Sequence, residues 1–549
     1  MSVRSLLWCA AALLSVGLPA CHVHIKAEST DPKPDRFYYP AGVAIDPDGR
    51  LLYVSNNNAD LRYAGGTLMT IDLLRFQCAV DAFRNLDDAG FVADAACAPF
   101  AVLTASDIKL ERSKDGTPTA GCVSDPIDPQ IVDCIEGPFA LSNSTVRVGN
   151  FAGTIRVKRD ASVASKRRLY LAVRGDPSVT YADVDLGKLV PVPGATYDPY
   201  PPGVVDCFDD PGALTTRTGY DAASNRTTVP PRCSSSHLVQ TYTCNNRLGC
   251  LRGDNDIPSE PFNILVDEGT RKDGTPYSRL VVGHLAAGQV SLIDLLGVPY
   301  VSDVSAPFFA ANLRSERGAF GLARLGKGDG AIYYLTSSLI PQVATFYVGS
   351  SPTGDAVSPG LAFTFGGAFA SGTDSRALVI DPGGQRAYLA QNAPPQLAVL
   401  DLRVDQPDTH GLPANKIVSA VDICQEPSNM VLRQRLVAAS ATTSTLNSKL
   451  YVSCFVANQL MVIDPDLSLV DETILVGRGP SEMAFNFTGP ETDVADQLPA
   501  PAHRYAYVAL YNESTIAVID LEPGSPTENR MVARIGMTQP PPNYLVNKR

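Results

Sequence analysis

One short module recurs along this chain, and no other feature of the sequence restricts the possible folds as tightly. Its clearest copy runs from Tyr39 to Leu73. Gly42 to Ile45 is apolar, Asp46-Pro47-Asp48-Gly49 has the make-up of a tight turn, and Leu51 to Ser55 is a second apolar run. Proline presets φ and glycine accepts φ > 0, which is what such a turn demands. A polar stretch from Asn56 to Gly66 leads to a third run, Thr67 to Ile71, that closes on Asp72. Three strands this short cannot bury both faces alone, so further copies have to pack against them.

A Tyr-aliphatic-small run followed by an aliphatic run ending in Asp recurs to the C-terminal end. It appears as Tyr170-Leu171-Ala172 with Val184-Asp185-Leu186, Val281-Val282-Gly283 with Ile293-Asp294-Leu295, and Tyr388-Leu389-Ala390 with Leu400-Asp401-Leu402. It returns as Tyr451-Val452-Ser453 with Ile463-Asp464-Pro465 and as Tyr507-Val508-Ala509 with Ile519-Asp520-Leu521. Tyr334-Leu335-Thr336 with Ala344-Thr345-Phe346 is the most divergent copy. Pro40, Gly137-Pro138, Pro261, Pro427 and Gly479-Pro480 are read as the openings of copies, and fourth strands are legible at Lys416 to Val421 and Arg530 to Ile535. Seven copies of a four-stranded unit predict an all-β chain folded as a seven-bladed β-propeller. Tyr53-Val54-Ser55-Asn56 and Ala517-Val518-Ile519-Asp520 are close matches to the YVTN/NHL-type propeller repeat, which the chain resembles from about Tyr39 to Gly536. That resemblance implies the fold and leaves the chemistry open, because one architecture hosts unrelated activities.

Residues 1–20 read as an export signal, with Arg4 as the positive start and an apolar stretch, Leu6 to Val16, too short to span a bilayer comfortably. Leu18-Pro19-Ala20-Cys21 resembles the lipobox of bacterial lipoproteins. The resemblance implies cleavage before Cys21, lipid attachment to Cys21 and a membrane partner through that lipid. His22 follows the cysteine where the family's inner-membrane signal has Asp, so the expected location is the cell envelope, at the outer membrane rather than the inner. The expected layout is a linker over 21–38 and a propeller over 39–549.

Forty-five Lys and Arg against 57 Asp and Glu give a net charge of −12, which argues against a nucleic-acid partner. There are 12 Cys. Cys9 lies in the signal and Cys21 at the lipidation site, which leaves Cys78, Cys97, Cys122, Cys134, Cys207, Cys233, Cys244, Cys250, Cys424 and Cys454. An even set in an exported chain reads as disulfides; near-neighbour pairs are the simplest arrangement, though spacing alone does not fix them. Cys424 sits before a first strand and Cys454 after a second, at the same end of a blade, so a bridge between them is geometrically reasonable. No CxxC pairing or haem motif is present, and His is scarce; no metal or other cofactor is expected.

Two insertions, about 77–136 and 188–258, interrupt the repeat and read as disulfide-tied loops without sustained helical periodicity. Both are placed near the face where propellers bind ligands. Residues 349–373 read as a Gly/Ser/Ala-rich linker whose Phe363, Phe365 and Phe369 are core-facing. The position after each Tyr-aliphatic-small run is expected at the mouth of the central channel: Asn56, Val173, His284, Ser337, Gln391, Cys454 and Leu510. Asn56, Asn57, His284 and Gln391 are the candidate ligand-binding residues, and no catalytic set is visible. The recurring Asp is read as a corner-forming residue that accepts backbone N–H bonds from the following turn. The expected function is binding: a monomeric, lipid-anchored propeller presenting a rigid face to a protein, glycan or cell-wall partner. The alternative is a lactonase-like hydrolase or lyase acting at the channel mouth. Convergent carboxylates there would favour the enzyme, and a neutral or aromatic face would favour binding.

Overall fold

A computed structural model describes residues 30–85, 97, 121–160, 162–189, 201, 203–210, 217, 219–239, 257–271, 274, 276–296, 303–315, 317–326, 331–348, 363–403, 415–438, 444–487 and 504–536. The export signal, Cys21, Cys244 and Cys250 lie outside these residues.

Seven antiparallel sheets follow one another in chain order. Blade 1 is built from Pro40–Ile45, Leu51–Asn56, Gly66–Asp72 and Val146–Val148. Blade 2 holds Ala152–Arg159, Lys166–Val173, Ser178–Asp185 and the short Val205–Asp206, with Leu238–Val239 also on the third strand. Blades 3 to 6 start at Pro261, Ala319, Thr373 and Pro427, and each has four strands. Blade 7 runs from Pro480 to Ile535. The first strand of each blade lies beside the first strand of the next, and that of blade 7 lies beside that of blade 1. The sheets therefore close into a ring, the seven-bladed propeller that the repeat predicts.

Burial explains why the second strands are apolar at successive positions instead of alternating. Side chains alternate across a strand, and here both faces are covered. Leu51 and Tyr53 pack toward blade 2, while Leu52 and Val54 pack toward blade 7. Seven apolar clusters result, one at each junction between adjacent blades. The repeat tyrosines Tyr53, Tyr170, Tyr334, Tyr388, Tyr451 and Tyr507 are all sealed in these junctions.

Asp46 to Gly49 forms the predicted turn, with Gly49 N–H donating to the Asp46 carbonyl at 2.7 Å and Gly49 at φ +72°. Gly49→Ala is expected to cost about 1 kcal/mol in a thermal melt, because a side chain at positive φ is strained. The recurring Asp acts locally: Asp185, Asp401, Asp464 and Asp520 each accept a backbone N–H two residues on.

Three sequence expectations need correction. The first insertion opens with a helix, Leu73–Arg84, capped by the Asp72 side chain on Arg75 N–H at 3.2 Å. Leu73, Phe76, Val80 and Phe83 form an apolar stripe at helical spacing, and placing the insertion's start at Gln77 cut off its first turn. Gly137-Pro138 does not open a blade; blade 2 opens at Ala152, and the intervening residues complete blade 1. Residues 363–370, taken as linker, are the outer strand of blade 4. Of that stretch's aromatics, Phe369 packs against the blade 4–5 cluster, while the Phe363 and Phe365 side chains lie outside the described residues.

Past the helix, Cys122–Ser124 and Val132–Cys134 pair with each other, and the latter adds in parallel to the outermost strand of blade 7. The first insertion thus joins the last blade to the first. Four bridges occur among the described residues: Cys78–Cys97, Cys122–Cys134, Cys207–Cys233 and Cys424–Cys454. Upstream of the blades, Thr30 forms a bridge to Tyr63, and Phe37 and Tyr38 are buried, so the end of the expected linker packs on the propeller.

Candidate functional site

The channel ring is one strand away from where the sequence reading puts it. Asn56, Val173, His284, Ser337, Cys454 and Leu510 face the first residue of the blade's inner strand across the ladder, and Gln391 faces Ser375. All seven are buried behind that strand. Asn56 donates to Thr67 Oγ1 at 2.9 Å and accepts from Tyr38 N–H. Gln391 Oε1 accepts from Gly372 N–H at 3.0 Å, and His284 Nε2 lies 2.8 Å from Ser291 Oγ. Burial pushes the His284 imidazole down to about 4, with backbone groups of Ser259 and Pro258 pulling the other way.

The axis is lined by the residue that follows each strand's opening position, or in blade 5 by the residue that follows Ser375. The first strand slips register immediately after that position in six blades, and in blade 5 after its third residue, Ser375. A bulge of this kind re-aims a side chain. The seven re-aimed residues are Ala41, Gly153, Phe262, Phe320, Arg376, Ser428 and Ser481, and all line one axial cavity of 560 Å³. The ring is lopsided. Blades 3 to 5 contribute two phenylalanines and an arginine, and the other four contribute small or hydroxyl residues.

The bulky side forms a continuous stack. The Arg174 guanidinium lies 5.8 Å from the Phe262 ring centroid. Phe262 and Phe320 are 4.5 Å apart at 51°, and Arg376 lies 5.5 Å from Phe320. Guanidinium over an aromatic face is favourable, most of all where water is excluded. Asp374 takes Nε and Nη2 of Arg376, each at 2.8 Å, which fixes its plane. Arg174 comes from the loop between the second and third strands of blade 2 and reaches Glu260 only at 3.5 Å.

Beneath the stack, Arg156 spans three blades. Its Nη1 meets Glu482 Oε1 at 3.1 Å and its Nη2 donates to Asn263 Oδ1 at 3.3 Å. Glu482 Oε2 accepts from Val43 N–H at 3.2 Å. Burial raises the Glu482 carboxyl above its ordinary range, and Arg156 offsets part of that rise. Glu482 and Arg156 also line a smaller chamber of 280 Å³ below, with Ile155, Met483 and Phe485.

Facing the stack are Ser428, Asn429, Ser481, Tyr511 and Asn57. Asn57 is the one sequence-predicted site residue among the cavity's lining; its Nδ2 donates to Ala152 O at 3.4 Å. Three buried polar atoms of this cavity have no partner among the described residues: Asn57 Oδ1, Asn429 Oδ1 and Arg174 Nε. Buried polar atoms are normally hydrogen-bonded, so an unmatched set around one cavity marks where a ligand or water would complete it. Among the described residues no cluster of three His, Cys, Asp or Glu could hold a metal ion.

No protein-family model matches the chain, and no curated protein does. Several solved structures are similar. Kuenenia stuttgartiensis hydrazine synthase has 10% identity and a TM-score of 0.40, over 92% of this chain and 98% of that one. The periplasmic gluconolactonase of Pseudomonas aeruginosa has 14% identity and a TM-score of 0.39, over 81% and 87%. A putative 6-phosphogluconolactonase from Bacteroides fragilis has 10% identity and a TM-score of 0.37, over 78% and 82%. Likeness at this level assigns neither activity nor ligand to the chain.

Proposed function

We propose that this chain is a lipid-anchored binding propeller of the bacterial envelope, and that its ligand enters the axial cavity. The observation that supports binding over catalysis is the make-up of the re-aimed ring: aromatic, cationic and hydroxyl-bearing, with no carboxylate in it. Of the two carboxylates that line the cavity outside this ring, Glu482 is already held by Arg156 and a backbone N–H, and Glu426 is half-buried just before the first strand of blade 6. The volume falls within the range of small-molecule sites, roughly 300–1,000 Å³. The blades resemble the YVTN/NHL-type repeat, and the four bridges among the described residues suit an oxidising compartment.

Anchoring and the cavity belong together in this reading. Thr30 lies against the second-to-third-strand loop of blade 1, the same class of loop that brings Asn57, Arg174 and Tyr511 to the cavity. Cys21 precedes Thr30 by nine residues, which span at most about 30 Å when extended. A lipid on Cys21 would hold the cavity's open face toward the membrane.

The sequence contains one tryptophan, Trp8, in the signal segment. Phe320→Trp therefore places a lone tryptophan in the cavity of the mature protein. Small-molecule and glycan fractions of the envelope are expected to change its emission, and the bound molecule is expected to be recovered chemically unaltered. Chemical conversion would favour the hydrolase or lyase reading, and no response to any fraction, with no heat of binding to the native chain either, would refute a ligand-binding cavity. Separately, Cys21→Ser is expected to release the protein from membranes; unchanged retention would refute the anchor.

A further inference from the structure

We infer that the axial cavity recognises an acidic sugar, a uronate residue free or at the end of a glycan. This rests on the cavity being a ligand site and assigns the chemical class of its occupant.

Three features of the wall, taken together, select that class. The first is charge. The Arg174 Nε–H is buried and unpaired, and Asp374 leaves Nη1 of Arg376 unclaimed. A carboxylate matches planar N–H donors better than any neutral group does. The second is the tilted Phe262–Phe320 pair, whose rings are only partly buried. They offer an apolar platform to the C–H face of a pyranose ring. The third is the opposite wall, where Asn57 and Asn429 each have a buried carbonyl oxygen without a donor. Sugar hydroxyls supply donors there. They also suit either orientation of an amide, since a hydroxyl both donates and accepts.

The competing ligand classes each leave part of the wall unmatched. An aromatic acid would satisfy the arginines and the rings but would leave the Asn57 and Asn429 oxygens without donors. A neutral sugar would satisfy the amides but offer the Arg174 N–H only a hydroxyl oxygen, a weaker acceptor than a carboxylate. An unmatched buried polar group and a lost charge-assisted bond each cost binding free energy, so the wall discriminates against both. An amino acid would bring an ammonium group; Glu482 is already paired with Arg156, which leaves the ammonium only the half-buried Glu426.

The test is calorimetric titration of the mature chain with D-glucuronate, D-galacturonate, D-glucose and benzoate. At least one uronate is expected to bind, with glucose and benzoate at least ten-fold weaker. Arg174→Gln should erase the preference of uronate over glucose, and Asn57→Ala with Asn429→Ala should erase the preference of uronate over benzoate. A purely structural role for these residues would change the melting temperature and leave both preferences intact. Benzoate or glucose binding as tightly as the uronates would overturn the assignment. So would silence toward both uronates while an envelope fraction still shifts the Phe320→Trp signal; that result would leave the binding reading standing. Silence toward the probes and the fractions alike would remove both.

Discussion

Asp267→Ala is expected to lower the free energy of unfolding by about 3–5 kcal/mol, the range for removing one partner of a buried ion pair. Asp267 is fully buried on the first strand of blade 3. Its Oδ2 accepts from Arg279 Nε at 2.8 Å and from the Tyr333 hydroxyl. Its Oδ1 accepts from the Tyr277 hydroxyl at 3.0 Å and from Arg324. Arg279 and Tyr277 belong to blade 3, while Arg324 and Tyr333 belong to blade 4, so one carboxylate ties two sheets together. Without it, Arg279, 5% exposed in its side chain, keeps a charge with no counter-charge and little water. Asp267→Asn should cost less, because the amide still accepts from one tyrosine hydroxyl. A control comes from Arg386–Asp466, a 2.9 Å pair whose side chains are 45% and 60% exposed; breaking it should cost no more than about 1 kcal/mol. Chemical denaturation of the three variants decides the matter. An Asp267→Ala loss as small as the control's would mean that the blade 3–4 junction rests on apolar packing alone.

The same contrast, between what recurs and what does not, governs how much could be read from the chain. Blade number and strand order were legible because each junction needs the same apolar filling. Tyr53, Tyr170, Tyr334, Tyr388, Tyr451 and Tyr507 therefore repeat in register. The cavity is written in the opposite way. Ala41, Phe262, Arg376 and Ser428 occupy one structural position and share no chemistry, so a search for sameness passes over them. What re-aims them is a register slip beside the opening residue, a backbone event with no residue signature of its own. Proline or a small residue at that position was the available signal, and its next neighbour was the residue to collect. Arg174 and Glu482 were beyond reach for a different reason. Their roles depend on blades 2, 3, 7 and 1 meeting at the axis, and only closure of the ring brings them together.

His284 supplies the second large effect, and it bears on the sequence reading directly. Its side chain is wholly buried at the end of a second strand, and burial depresses its pKa to about 4 against an ordinary value of about 6.5. Between those values the unfolded chain takes up a proton that the folded chain refuses. Stability from this group is therefore complete above pH 6.5, falls as the pH drops toward 4, and changes no further below that. A shift of this size corresponds to about 3 kcal/mol across the window. Asp46, Glu136 and Glu482 act in the opposite sense, since burial raises each carboxyl and the folded state keeps their protons longer as the pH rises. The overall profile mixes the two, so the informative quantity is the difference between the native chain and His284→Gln, a replacement that can still hydrogen-bond to Ser291. Urea denaturation at pH 7 and pH 4.5 is expected to show the native chain losing about 2–3 kcal/mol more than the variant. Parallel losses would mean that the imidazole titrates normally and is reachable from solvent, which would return His284 to the channel mouth. Ligand titration of the same variant closes the argument. A histidine sealed behind the inner strand should leave affinity in the axial cavity unchanged, whereas a ligand-contacting histidine should not.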